Sequence, residues 1–255
     1  MKLSSYPVVE FLKIAIAGQP GRGKTTAGIT FPTPMLIFDF DGKLDGPILF
    51  AKKQGIDLSQ IEVEQPRNWQ QVVSILNREE TSPKFKTYGF DTLTSLADML
   101  LSNIQDLKAT EKGGSVKRIG GVQVPGLEEF NAESAGIMDM ILFMKNVKAN
   151  VWLTAHVIET KTTSNASGKP TMSISRSLLT GGKKVAAKIP AYFPENYSLQ
   201  IEPELDPSLP PKYVVYTQSN TEDYGRTGFD LPAKIDITGK PFYATIKALI
   251  DRQTG

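Results

Sequence analysis

The chain has 255 residues, 40% of them hydrophobic and 22% charged, a balance that fits a folded globule and excludes wholesale disorder. Its zero cysteines exclude a disulfide scaffold, thiolate zinc sites and a thiol nucleophile, and its one histidine excludes a His-rich metal centre. The net charge of +2 says little until it is mapped along the sequence. No apolar run approaches the ~18–20 residues that cross a bilayer, and Glu10 and Lys13 interrupt the only N-terminal stretch that resembles a leader. The expectation is a cytoplasmic protein with no membrane partner.

Taken in chain order, Phe11–Ala17 reads as a buried strand. A Gly-rich turn and a short helix follow, ended by Pro32. Met35–Phe40 is a second buried strand, with acids at its C-terminal end. Ile61–Val63 makes a short strand. Trp69, Val72, Val73 and Leu76 then mark a helix face. Thr87–Asp91 is a less apolar strand, and the residues from Leu93 to Leu107 form an amphipathic helix. Five glycines between 108 and 126 predict a long mobile loop, after which Phe130 to Met144 resumes the helical period. Val151–His156 is the next buried strand. Residues 157–190 are rich in Ser, Thr and Lys, lack aromatic residues, and predict a second mobile loop. Tyr197–Ile201 and Lys212–Thr217 read as paired strands around a Pro-rich connection, and Ala244–Arg252 as a closing helix. Strands alternating with helices imply parallel βαβ units in a three-layer α/β domain with a mostly parallel central sheet. The expected organisation is one domain: an N-terminal segment 1–10, a core 11–156, a mobile basic loop 157–190, and a β-rich C-terminal extension 191–255.

Gly18-Gln19-Pro20-Gly21-Arg22-Gly23-Lys24-Thr25 fits the phosphate-binding pattern G-x-x-x-x-G-K-[ST], with Thr26 directly after it. The glycines let successive backbone N–H groups point at phosphate oxygens beside a helix start. Lys24 is positioned to reach the β- and γ-phosphates of ATP, and the Thr25 hydroxyl to ligate Mg²⁺. Asp91 ends a strand and suits the Mg²⁺ shell, against the plainer reading of a helix N-terminal acid. Asp39 and Asp41 flank Phe40, and one of them is a candidate to orient the attacking water; the plainer reading is a solvated loop of acids. His156 ends a buried strand, at the edge of an α/β sheet where ligands bind, and is a candidate γ-phosphate sensor.

Charge is segregated. Segments 108–121 and 157–190 carry +8 between them, and the remaining chain carries −6. Lys117, Arg118, Lys161, Lys169, Arg176, Lys183, Lys184 and Lys188 are the candidate DNA-binding residues. A basic patch of this kind is the electrostatic footprint of a polyanion. Without aromatic residues in either segment, phosphate contacts rather than base stacking should dominate.

The segments GQPGRGKTT, IFDFDGKLD, FDTLTSL, WLTAH, GGKKVAAKIPAYF and DYGRTG, in this order, resemble the RecA-like P-loop ATPases over residues 11–230, and most of all the small phage-type recombination ATPases associated with single-strand annealing. The resemblance implies an ATP- and Mg²⁺-dependent ATPase acting on single-stranded DNA as a homo-oligomer, ring or filament, alongside a single-strand-binding or annealing protein and, if phage-encoded, in the host cytoplasm. It assigns the catalytic acid to Asp41, where the family carries a longer Glu, and the sensor to His156, where RecA itself carries Gln. It also implies that a neighbouring subunit completes the site through Arg226, or through Lys183 and Lys184. Competing readings are an AAA+ helicase loader, which requires a helical lid after the core, a small-molecule kinase, and a nucleotide-binding partner protein with negligible turnover.

Overall fold

A computed structural model describes residues 10–111, 116–164, 171–180, 183–204, 206, 208–218 and 225–254. The first apolar run becomes β1 (Lys13–Ala17), followed by the short helix α1 (Lys24–Gly28). Next come β2 (Met35–Asp39), α2 (Asp45–Lys53), β3 (Ile61–Glu64) and α3 (Trp69–Thr81). The chain continues through β4 (Thr87–Asp91) and α4 (Leu93–Thr110) to a small β5–β6 hairpin (Arg118–Ile119, Val122–Gln123). After it lie α5 (Leu127–Asn146) and β7 (Asn150–Ala155). The strands β8 (Val157–Ser164) and β9 (Thr171–Leu178) lead to α6 (Lys183–Tyr192). The final part is β10 (Glu195–Glu202), β11 (Lys212–Tyr216), β12 (Lys234–Asp236) and α7 (Phe242–Thr254).

Among the described residues the central sheet has the order β12-β11-β10-β1-β7-β4-β2-β3. The six strands from β10 to β3 run parallel, and β11 and β12 add antiparallel to the β10 edge. This is the expected three-layer P-loop fold with a β-rich C-terminal end. Period-two alternation sends Ala15, Ala17, Leu36 and Phe38 to one face and Ile14, Ile16, Met35 and Ile37 to the other. The first face is covered by α3, α4, α5 and α6, and the second by α1, α2 and α7.

One packing detail sets the height of α1. The fully buried Trp152 of β7 fills the space left by two glycines: a Cβ at Gly89 would lie 2.1 Å from its ring, and one at Gly28 would lie 2.6 Å away. The missing side chains let α1 sit close on the sheet, which fixes where its first turn meets the strand ends. They also explain why β4 reads as less apolar than its neighbours.

Two expectations are corrected. The stretch 157–190 is not a loop in its described residues, since β8 and β9 pair over eight residues each and α6 follows. The stretch 108–126 holds the end of α4 and the β5–β6 hairpin rather than a single loop. The C-terminal strands pair as expected, with Ser198–Glu202 of β10 antiparallel to Lys212–Tyr216 of β11, and β10 also joins the core, with Ile14–Ala17 of β1 opposite Glu195–Ser198.

Candidate nucleotide site

The P-loop lies between β1 and α1 at the C-terminal edge of the sheet. Gly23 caps α1 with φ of +83°, a left-handed conformation natural to glycine, and a Cβ there would meet the Tyr213 ring at 3.3 Å. Gly18 is required by close approach: a Cβ would lie 2.6 Å from the backbone oxygen of Leu199 in β10. Lys24 is buried, and its Nζ donates to the carbonyls of Gly18 and Gln19, each at 3.0 Å. The same Nζ lies 3.3 Å from Nδ1 of His156, which as partner of an ammonium is the acceptor. Burial lowers the Lys24 pKa to about 8, against the opposing pull of Asp91 and Asp41.

The carboxylates divide into different roles. Asp91, buried at the end of β4, accepts a 2.8 Å hydrogen bond from Thr25 Oγ1 on one oxygen and a bond from Thr154 Oγ1 on the other. Burial pushes its pKa above the usual carboxylate range, with the two hydroxyls acting in the opposite direction. Asp39 is buried and fully engaged away from the cleft. Its Oδ1 accepts from the backbone N–H groups of Asp41 at 3.2 Å and Gly42 at 2.7 Å, and its Oδ2 from Gln65 Nε2 at 2.9 Å. Asp39 therefore shapes the turn that presents Asp41. Asp41 lines the cleft and is held from α4 by the Ser95 hydroxyl, while Thr92 caps that helix through the backbone N–H of Ser95.

His156 closes the arrangement at the end of β7. Burial, then the Lys24 charge, pushes its pKa below the ordinary histidine value, so the ring is neutral at pH 7. Its backbone carbonyl accepts from Leu179 N at 2.9 Å, and its N–H donates to Thr94 Oγ1 at 3.3 Å. Thr94 Oγ1 in turn donates to the Leu179 carbonyl at 3.1 Å. Both ends of the β8–β9 hairpin are thus fastened at the residue that touches Lys24.

The residues from Pro20 to Thr26, with Asp41, Asp91 and His156, line one cleft of about 740 Å³. Gly18 and Gln19 meet it through the carbonyls that hold Lys24. The candidate DNA-binding residues lie elsewhere. Exposed Lys117 precedes β5, and exposed Arg118 begins it. Lys161 belongs to β8 and Arg176 to β9, while Lys183, Lys184 and the exposed Lys188 belong to α6. Lys169 lies outside the described residues. Arg226 is exposed and bridged through its backbone to Asn196, at 2.8 and 2.7 Å. Asn196 pairs in register with Ala15, about 10 Å before the P-loop at the rise of a strand, so Arg226 is not part of its own chain's cleft. Thr154 and Ser95, like Thr94 and Gln65, were absent from the sequence reading. The TAH and DTLTS segments contain Thr154 and Ser95, but nothing local says that these hydroxyls turn toward acids 63 and 54 residues away.

The donor set fits a hard divalent cation bound with a nucleotide. Thr25 and Asp91 bring a hydroxyl and a carboxylate oxygen to 2.8 Å of each other beside the P-loop amides. Among the described residues no group of three or more His, Cys, Asp or Glu gathers as a cage, so further ligands would come from phosphate and water oxygens, as Mg²⁺ favours. Among the described residues no helix is long and apolar enough to cross a membrane.

A protein-family model described as AAA domain matches residues 10–227. Comparison with curated proteins gives no match.

Proposed function

Because the chain belongs to the AAA domain family and is a P-loop ATPase domain, we propose that it is an ATP-dependent single-stranded-DNA-binding protein of recombination or replication. The observation that carries this reading is the attachment of the β8–β9 hairpin to His156 by the Leu179 and Thr94 hydrogen bonds. A basic element grows directly out of the residue that contacts the phosphate-binding lysine, so occupancy of the cleft can bias that element through a short lever.

In this reading the P-loop amides and Lys24 bind the triphosphate of ATP. Lys24 leaves the Gly18 and Gln19 carbonyls and His156 for the β- and γ-phosphates, and the neutral His156 ring is freed to hydrogen-bond the γ-phosphate. Thr25 and Asp91 hold Mg²⁺, which when bound neutralises charge developing on the phosphate oxygens. Thr154 orients the Asp91 carboxylate and keeps it satisfied in a buried position. Asp41, fixed by Ser95 and by the Asp39 turn, orients the attacking water. Lys117, Arg118 and the basic residues of β8, β9 and α6 contact DNA phosphates. The protein works as a homo-oligomer, ring or filament, in which Arg226 of one subunit reaches the cleft of the next.

The rival reading of a helicase loader draws support from the family description. The described residues after 194 oppose it, because they form three strands and one helix where such a protein carries a helical lid. Phosphate release measured with and without single-stranded DNA tests the proposal. Stimulation by DNA is the expected result, and turnover indifferent to DNA at low salt contradicts it.

A further inference from the structure

The turn that presents Asp41 is tied to several elements. Phe40 N donates to the Asp91 carbonyl of β4 at 2.7 Å, and Gly42 takes the left-handed φ of +66° that closes the turn. Asp39 Oδ1, at the end of β2, accepts from the backbone N–H groups of Asp41 and Gly42, and the Ser95 hydroxyl of α4 holds the Asp41 carboxylate. These ties all come from elements that border the nucleotide cleft.

Gln65 reaches the same turn from outside it. Phe38 pairs with Glu64 in the parallel β2–β3 register, so Asp39 and Gln65 leave the two strands side by side. Gln65 Nε2 donates to Asp39 Oδ2 at 2.9 Å. Gln65 is exposed, and with Arg67, Gln71 and Ser74 it lines a second cavity, of about 450 Å³, at the β3 edge of the sheet. Among the described residues, none that lines this cavity also lines the nucleotide cleft.

Asp39 itself is only 3% exposed. The last side-chain torsion of an aspartate is broad, so the plane of its carboxylate is set by the partners of its two oxygens. Gln65 therefore fixes the plane of the Asp39 carboxylate, and with it the direction in which Oδ1 meets the two N–H groups of the turn. Where the amide is removed, water from the cavity can satisfy Oδ2 without holding it in one direction. The fold then survives, and the aim of Asp41 is lost.

We infer that Gln65 is a positioning residue for ATP hydrolysis, acting through Asp39 on the acid that orients the attacking water. The inference rests on the ATPase reading and on Asp41 as that acid. Because Gln65 lies outside the cleft, it acts on kcat and leaves ATP binding alone.

Phosphate release and titration calorimetry with Mg²⁺-ATP, on the full chain, test this in two variants. Gln65→Ala lets water reach Oδ2, and Gln65→Leu keeps the bulk of the side chain and removes the donor. Each is expected to lower kcat by about tenfold, the loss of one hydrogen bond to a charged group, with KM and ATP affinity unchanged. A packing role would instead spare Gln65→Leu. In an Asp41→Asn background neither substitution is expected to lower kcat further, since both residues act along one path. Thermal melts confirm folding, and Gln65→Ala carries the test if Gln65→Leu does not fold. Parental kcat in the variants, an equal loss in ATP affinity, or a further loss in the Asp41→Asn background overturns the role of Gln65 and leaves the ATPase reading standing. Undiminished turnover in Asp41→Asn overturns the assignment of the acid, and a parent that releases no phosphate overturns the ATPase reading; the role of Gln65 falls with either.

Discussion

Raising the pH from 7 to 9 weakens ATP binding by about tenfold, because the lysine that holds the phosphates loses its proton in the empty site. Burial lowers the Lys24 pKa to about 8 from the ordinary 10.5. A triphosphate is bound by the ammonium and not by the amine, so affinity is full below pH 8 and falls as pH rises through it. At pH 9 the charged fraction of a group with pKa near 8 is about one in eleven, and the binding constant falls by the same factor. In the complex the phosphate charge restores the ammonium, so binding at pH 9 takes up about one proton. Titration calorimetry at pH 9 in buffers of large and small ionisation enthalpy reads that uptake directly. Lys24→Arg stays charged throughout and loses the pH dependence even if its affinity is lower. Unfolding cannot mimic the effect through this group. Between about 8 and 10.5 the unfolded chain binds the Lys24 proton and the empty folded chain does not, so Lys24 makes stability rise with pH while ATP affinity falls. Equal ATP affinity at pH 7 and 9, with no proton uptake, refutes the reasoning.

Asp41→Asn keeps near-parental ATP affinity in titration calorimetry and loses at least about 100-fold in turnover, the lower end of what a positioned base contributes; Asp39→Asn losing turnover while Asp41→Asn keeps it reverses the assignment. Thr154→Val removes a hydrogen bond to a buried carboxylate and destabilises the fold by about 1–3 kcal/mol. It also moves the acid limb of the pH–rate profile upward, because Asp91 is then harder to ionise; Thr154→Ser restores the limb, and an unmoved limb in Thr154→Val refutes the positioning role. Gly89→Ala forces a methyl against Trp152 and costs about 1–3 kcal/mol of unfolding free energy, read as a lowered denaturant midpoint; an unchanged midpoint contradicts the packing argument. Replacing Lys183, Lys184 and Lys188 together by Ala flattens the log–log salt dependence of single-stranded DNA binding by up to about 2, at roughly 0.7 per phosphate contact; a parental slope in that variant moves the DNA contacts elsewhere.

The phosphate loop was legible because all of its information is contiguous: a strand and, in the eight residues after it, a spaced glycine pattern, a lysine and a hydroxyl. Asp91 and His156 were legible by position, since each ends a buried run and strand ends of parallel sheets meet along one edge. The choice between Asp39 and Asp41 was not, because it depends on which carboxylate the turn consumes, and Gln65, a partner in that turn, lies on another strand's exit. The helix α2 went unseen because Gly46 and Pro47 resemble a turn, although proline is at home in a helix's first turn. The β8–β9 hairpin hid behind its polarity. Its one local signal is the alternation of Met172, Ile174 and Leu178 with serines, which composition alone reads as a linker. Insertion of β10 beside β1 is a topological fact that no local pattern carries.

The most direct test of the account is the anisotropy of a labelled single-stranded oligonucleotide titrated with the protein at low salt, with Mg²⁺ and a non-hydrolysable ATP analogue and again without nucleotide, in the parent and in His156→Ala. The account predicts tighter binding with the analogue in the parent, and equal binding in both states for His156→Ala with an unchanged salt slope. No DNA binding by the parent in either state contradicts it.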